Sequence, residues 1–220
     1  HKAIRRQRQM CIRDSYQSLC KKFKAYLMRP EIIDFTHNGR TYSIEITDVQ
    51  CFPQAFAAAM TRYNTEMGKR ATVIDLGGYT ADYIQIVDGK PLIEHSDSLE
   101  NGVIHLYHRI MQEINCIMDT RLKESDIDLI IRGNPHYPEQ LIKIVDQQVR
   151  QYLDDFIGQL RERQIDLRVG QTVIIGGGGI LLRKYIEQNP WIQHITFIDD
   201  IRANAHGYQL MYETLRRKGG

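Results

Sequence analysis

Two short stretches, each at the end of an apolar run, constrain this chain more than its composition does. The first, Asp75-Leu76-Gly77-Gly78-Tyr79-Thr80-Ala81-Asp82, follows Ala71-Thr72-Val73-Ile74 and precedes the alternating run Tyr83–Val87. A turn without β-carbons can bring backbone amides against phosphate oxygens, where a side chain would collide. An aspartate ending the strand before such a turn suits Mg²⁺, held mostly through water because that ion dehydrates reluctantly. The plainer reading is a hairpin whose glycines serve the turn and whose aspartates cap it. The second stretch, Gly176-Gly177-Gly178-Gly179, lies between Val173-Ile174-Ile175 and the helical pattern of Ile180–Gln188. Four glycines let a flat base or ribose lie against main chain and expose amides at a helix start, or they simply turn the chain tightly. No Gly-Lys-Ser/Thr follows and the spacing is not GxGxxG, so neither the P-loop nor the dinucleotide fingerprint is present.

Around these turns the pattern is α/β. Residues 15–28 read as a basic helix ending before Pro30. Asn38-Gly39, between the apolar runs at 32–35 and 41–49, marks a hairpin with a type I′ turn. Pro53 opens a helix over 55–67 whose Ala55, Ala57, Ala58 and Ala59 allow close packing. Three strands follow as a meander, over 71–76, 81–88 and 91–96, then a helix from about Asn101 to Met118. The run Asp128-Leu129-Ile130-Ile131-Arg132 reads as a short strand. Leu141, Val145, Val149, Leu153, Phe156 and Leu160 recur at helical spacing over 138–163. Strand 171–176, helix 180–188, strand 195–199 and helix 203–217 complete the chain. A meander before the first long helix is unlike a doubly wound dinucleotide domain, which alternates strand and helix throughout.

Composition excludes several classes of function. The longest apolar runs fall well short of the roughly 20 residues that span a bilayer, so no membrane segment is expected. Four dispersed cysteines (Cys11, Cys20, Cys51, Cys116) form no CxxC pair, which fits reduced thiols in a cytoplasm better than a disulfide framework or a metal site. His105 and His108 share a helix face without an acidic or cysteine partner at ligand spacing and read as solvated surface. Residues 1–30 hold nine basic side chains against Asp14 alone, within a total of 29 basic and 27 acidic residues. A basic arm can bind nucleic acid. However, Gln9–Ser15 resembles a translated sequencing adapter, so residues 1–15 are read as a non-native arm and no nucleic-acid binding is assigned to them.

In this order and about 100 residues apart, the two glycine turns resemble the second phosphate loop and the adenosine loop of the actin, heat-shock chaperone and sugar kinase superfamily. Ser96–Val103 resembles that superfamily's third strand and glycine turn, with Gly102 near the ribose, and Ala203–Met211 resembles its second connecting helix. Over roughly residues 18–220 the chain is most similar to the plasmid-segregation actins of the ParM and StbA group. The resemblance implies an actin-like, ribonuclease H-like fold: a mixed sheet with a three-strand meander, flanked by helices. Residues 16–66 would be the remnant of an incomplete first domain with its connecting helix, since nothing upstream of residue 50 resembles the first phosphate loop. Residues 67–202 would form the second domain, with an insertion at about 119–170, and residues 203–220 a helix returning to the first domain.

The resemblance also implies a site. Asp75, Gly77, Gly78, Tyr79, Thr80, Gly102 and Gly176, Gly177, Gly178, Gly179 would bind ATP or ADP (GTP being open), and Asp75 would anchor Mg²⁺ through water. Gln54 and Asp82 would order the attacking water; a glutamine positions water rather than acting as a strong base. Hydrolysis would be coupled to self-association into filaments that a DNA-bound partition adaptor caps, in a bacterial cytoplasm. A sugar or acetate kinase of the same superfamily and a non-polymerising actin-like scaffold are the alternatives.

Overall fold

The structure, a computed structural model, describes residues 16–28, 31–62, 69–200 and 202–218. The arm at 1–15, residues 63–67 of the helix expected after Pro53, and residues 219–220 lie outside the described residues. Helix α1 (Tyr16–Leu27) precedes a two-stranded antiparallel hairpin, β1 (Ile33–His37) and β2 (Arg40–Ile44). Asn38 and Gly39 turn it with positive φ of 50° and 74°, as a type I′ turn requires.

The main sheet has five strands in the order β5-β4-β3-β6-β7. Its meander is β3 (Arg70–Leu76), β4 (Ala81–Val87) and β5 (Lys90–Leu99), all antiparallel. The third strand is longer than its sequence pattern suggested, because the β4–β5 register shifts between Tyr83 and Gln85 and the ladder resumes beyond the irregularity. On the other side of β3, β6 (Gln171–Ile175) and then β7 (Ile195–Phe197) add in parallel.

Alternation along β3 divides the core in two, since successive side chains of a strand point to opposite faces. Ile74 and Leu76 join Tyr83, Leu99 and Ile174 beneath α3 (Val103–Met118) and α5 (Glu139–Glu162). Ala71 and Val73 join Ile84, Ile86, Val173 and Ile175 on the opposite face. That face is covered by α2 (Gln54–Met60) and α8 (Ala203–Lys218), the two helices expected to connect domains. They cross at very close range: a β-carbon on Gly207 would lie 1.8 Å from the carbonyl oxygen of Ala57. Ala55, Ala57, Ala58 and Ala59 are all fully buried there.

One expectation is corrected. The run Asp128–Arg132 is not a strand but the end of helix α4 (Glu124–Ile131). Ile127, Ile130 and Ile131 are its buried residues, a helical i, i+3, i+4 set that the run of three aliphatics disguised. Asp126 starts the helix by accepting from the backbone N–H of Lys123 (2.9 Å) and from the Tyr137 hydroxyl (3.0 Å). The insertion between α3 and β6 is therefore helical, and its α5 is tied to the start of α3 through the Tyr152 hydroxyl, which donates to the Asn101 carbonyl. The helix expected over 180–188 begins earlier, as α6 (Gly177–Leu181), and resumes as α7 (Arg183–Gln188) after a break at Leu182.

Candidate functional site

Asp75 is the sixth residue of β3 and shares the face of Ala71 and Val73, so its carboxylate points toward α2 and α8. It is only 8% exposed. Two amides, one from each connecting helix, donate to the same oxygen: Gln54 Nε2 and Asn204 Nδ2 each lie 3.3 Å from Oδ2. Oδ1 faces the second glycine turn, where a β-carbon on Gly176 would lie 2.6 Å away. Gly176 has φ of 87°, which glycine alone adopts without strain.

The two glycine turns thus meet at the carboxyl end of adjacent strands, with Asp75 paired beside Ile175. A β-carbon on Gly178 would come within 2.8 Å of the Leu76 carbonyl oxygen. The first turn is held from behind by the start of α3. Amides of Gly102, Val103 and Ile104 donate to the carbonyls of Tyr79, Gly77 and Gly78 at 3.1, 3.0 and 2.9 Å, and Gly77 N–H donates to Thr80 at 2.9 Å. Gly102 is obligatory for this contact, its β-carbon position being 2.4 Å from the Gly78 carbonyl oxygen. With those carbonyls engaged, no backbone carbonyl among the described residues accepts from the amides of Gly78 or Tyr79. The Tyr79 side chain is 63% exposed, so its contribution to the turn is through main chain.

Asp82 stands directly opposite Asp75 across the β3–β4 ladder, on the same face. Burial pushes its carboxyl pKa up, hydrogen bonds from Ser98 and Thr80 oppose the rise, and the Asp97 charge adds to it. Asp75 behaves likewise: burial raises it, the Asn204 amide opposes, Asp82 adds, and Gln54 opposes. Two half-sequestered carboxylates on one face form an electronegative corner that a cation would relieve.

Beyond Gly78 and Gly177 the crevice opens into a cleft of about 250 Å³ lined by Gly78, Val103, Ile104, Tyr107, Asp128, Arg132, Gly177, Gly178 and Leu181. The Tyr107 hydroxyl donates to Asp128, and burial followed by that partner drives the phenol's pKa far upward. The cleft offers an apolar wall, one guanidinium and one carboxylate.

Gln54, Asp75, Asp82 and Gly176 lie together on one face of the sheet, and Gly78, Gly177 and Gly178 line the cleft. Gly77, Tyr79 and Thr80 belong to the first turn, whereas Gly102 is packed behind that turn and Gly179 is buried against Ile174. Sequence reasoning missed Asn204, Tyr107, Asp128 and Arg132. Tyr107 registered only as part of an apolar stripe, and reading 128–132 as a strand hid that Asp128 and Arg132 are four residues apart on one helical face. For Asn204 no local signal existed.

A five-stranded mixed sheet with two glycine turns facing each other, and two close-packed helices beneath, is the arrangement of the actin superfamily. The chain belongs to the family of archaeal actin homologues described as MreB-like, C-terminal, whose profile matches residues 73–188, just over half of it. No curated protein sequence matches it. Among solved structures it is similar to Ta0583, an archaeal actin homolog, with 22% identity and a TM-score of 0.65 over 85% of this chain and 63% of that one. It is also similar to the Alp12 filament structure (17%, 0.68, 93% of this chain and 65% of that one) and to apo psk41 ParM (16%, 0.66, 90% and 59%). At these identities the likeness is one of fold. The chain spans under two thirds of the length of each of these three proteins.

The residues at Asp75 fit a hydrated divalent cation on two counts. Asp75 and Asp82 supply hard oxygen donors on one face, and Asn204 Oδ1 is buried without a hydrogen-bond partner among the described residues.

Proposed function

We propose that this protein binds ATP with Mg²⁺ in the crevice between its glycine turns, hydrolyses it, and uses the nucleotide state to govern head-to-tail filament assembly. The observation that supports this most is the convergence of both turns and both connecting helices on the single carboxylate of Asp75. A structure of Ta0583 in complex with ADP, and the filament structure of Alp12, lend the reading support from proteins of the same fold.

In this reading the amides of Gly78 and Tyr79 hold phosphate oxygens, and Gly176 to Gly179 take the sugar and base against main chain. Asp128 and Arg132 at the far end of the cleft face the base. Gln54 spends its N–H on Asp75, which fixes the side chain and leaves Oε1 to accept from the attacking water; Asp82 orders that water from the opposite strand. Bound Mg²⁺ would supply charge neutralisation on the phosphates, and Asp75 and Asp82 would hold its water shell. Catalysis then is positioning plus electrostatics. Because Gln54 and Asn204 open the two connecting helices, loss of the terminal phosphate would be felt at both helix starts and alter the angle between domains. A heterologous contact that never closes builds a filament. In a bacterial cytoplasm such a filament could move plasmid copies, with a DNA-bound adaptor at its ends.

Replacing Asp75 with alanine should reduce Mg²⁺-dependent ATP turnover at least about 100-fold while leaving the fold intact by circular dichroism. Unchanged turnover would falsify the role given to Asp75. Sedimentation with ATP tests the assembly: nucleotide-dependent pelleting supports a filament, sugar-dependent ADP release points to a kinase, and binding without either points to a scaffold.

A further inference from the structure

Asn204 is the second residue of α8, and its side chain is pinned at one end only. Nδ2 donates to Asp75 Oδ2, while Oδ1 is buried and meets no donor among the described residues. The reverse orientation would set the amide oxygen against a carboxylate, so the observed one is electrostatically required. The backbone of α8 is locked against α2 by the Gly207–Ala57 contact, and Gln54 occupies the other approach to the same Asp75 oxygen. A buried acceptor of this kind lacks a hydrogen donor. Mg²⁺ in a phosphate site keeps several of its waters, and their protons are strongly polarised donors.

We propose that Asn204 is an outer-sphere ligand of the divalent cation, its Oδ1 accepting from a cation-bound water while its Nδ2 orients Asp75. The inference rests on the nucleotide-binding reading above and deepens it, giving the second connecting helix its own contact to the cation's hydration shell. Removal of the cation would then release the start of α8 at Asn204 as well as Asp75 itself. Partners of this sort hold first-layer ligands in place and are felt in metal affinity.

The test measures ADP affinity by calorimetry, at saturating Mg²⁺ and in EDTA, for the wild-type protein, Asn204→Ala and Asn204→Gln. Asn204→Ala should lose about tenfold in affinity with Mg²⁺ and less than about twofold in EDTA. Asn204→Gln, which keeps both the amide donor for Asp75 and the acceptor oxygen, should restore at least part of the Mg²⁺-dependent component. In ¹⁵N spectra the side-chain amide resonance of Asn204 should move with Mg²⁺–ADP and stay in place with ADP and EDTA. Equal losses in both conditions with an unmoved resonance would mean a structural tie only and overturn the proposal. Should the alanine variant fail to fold, the glutamine variant and the wild-type resonance decide it in the same way. Wild-type binding of ADP indifferent to Mg²⁺ would overturn the outer-sphere role and leave the nucleotide reading standing. Wild type that binds no nucleotide would overturn both.

Discussion

Gly177 has room that its neighbours lack. A β-carbon there would meet nothing within 4 Å, and the residue sits in the first turn of α6, where the backbone is helical. Helical glycine is less favourable than alanine by roughly 0.5–1 kcal/mol, so the fold alone gives no reason for it. We expect Gly177→Ala to leave stability unchanged or raise it by about 0.5 kcal/mol in urea melts, while weakening nucleotide binding several-fold. Gly102→Ala should behave oppositely, because its β-carbon would strike the Gly78 carbonyl. A loss of about 1–3 kcal/mol in the same melts is expected there. These glycines and Asp75 were legible in the sequence because their residue types are poor choices for a strand or helix and need a purpose. Asn204 was not, since an asparagine near a helix start has many ordinary uses. Only the packing of α8 across the sheet, 129 positions along the chain, brings it to Asp75.

Between elements, the decisive contact is the crossing of α2 and α8. Both helices must approach until Gly207 touches the Ala57 carbonyl, and only then do Gln54 and Asn204 reach one carboxylate. Gly207→Ala should therefore cost at least about 2 kcal/mol in denaturant melts and, by spreading the helices, lower nucleotide affinity. A matched control is Gly158→Ala on α5, whose β-carbon would meet nothing within 4 Å and which should be neutral or stabilising. The alanine-rich stretch announced this close packing from sequence, whereas the helix at 124–131 escaped. Its three consecutive aliphatics satisfy a buried-strand pattern as readily as a helical one, and Ile127 breaks the tie only when the window is lengthened. That single misreading also concealed two residues of the cleft, Asp128 and Arg132.

Across the molecule, the described residues fall into a well-packed body around the five-stranded sheet and a small hairpin with little cover. Phe35 and Tyr42 stack at 5.4 Å yet remain 44% and 40% exposed, and Ile44 is 42% exposed. Two strands without further partners are marginal in water. In hydrogen-exchange measurements, amides of β1 and β2 should exchange at least about 100-fold faster than those of β3 and β6. Equal protection would mean that the hairpin is covered in solution, as a further domain or a second copy would cover it. The overall architecture was readable from strand and helix periods because each long element kept a clean one. Which face of the sheet carries the site was not, since it follows from the parity of Asp75 within β3.

The parallel pairing of β3 with β6, with residue 75 beside residue 175, also sets a schedule for synthesis. A ribosome releases α1, the hairpin and α2, next the meander, then α3, α4 and α5, and only afterwards the strand that brings the second glycine turn to Asp75. Until that strand and the α8 segment have emerged, Asp75 lacks its contacts with Gly176 and Asn204. In the function proposed above, nucleotide binding that needs both turns would follow the assembly of this sheet and not template it. Substitutions that slow the docking of the intervening helices should delay the assembly of this corner without changing its finished geometry.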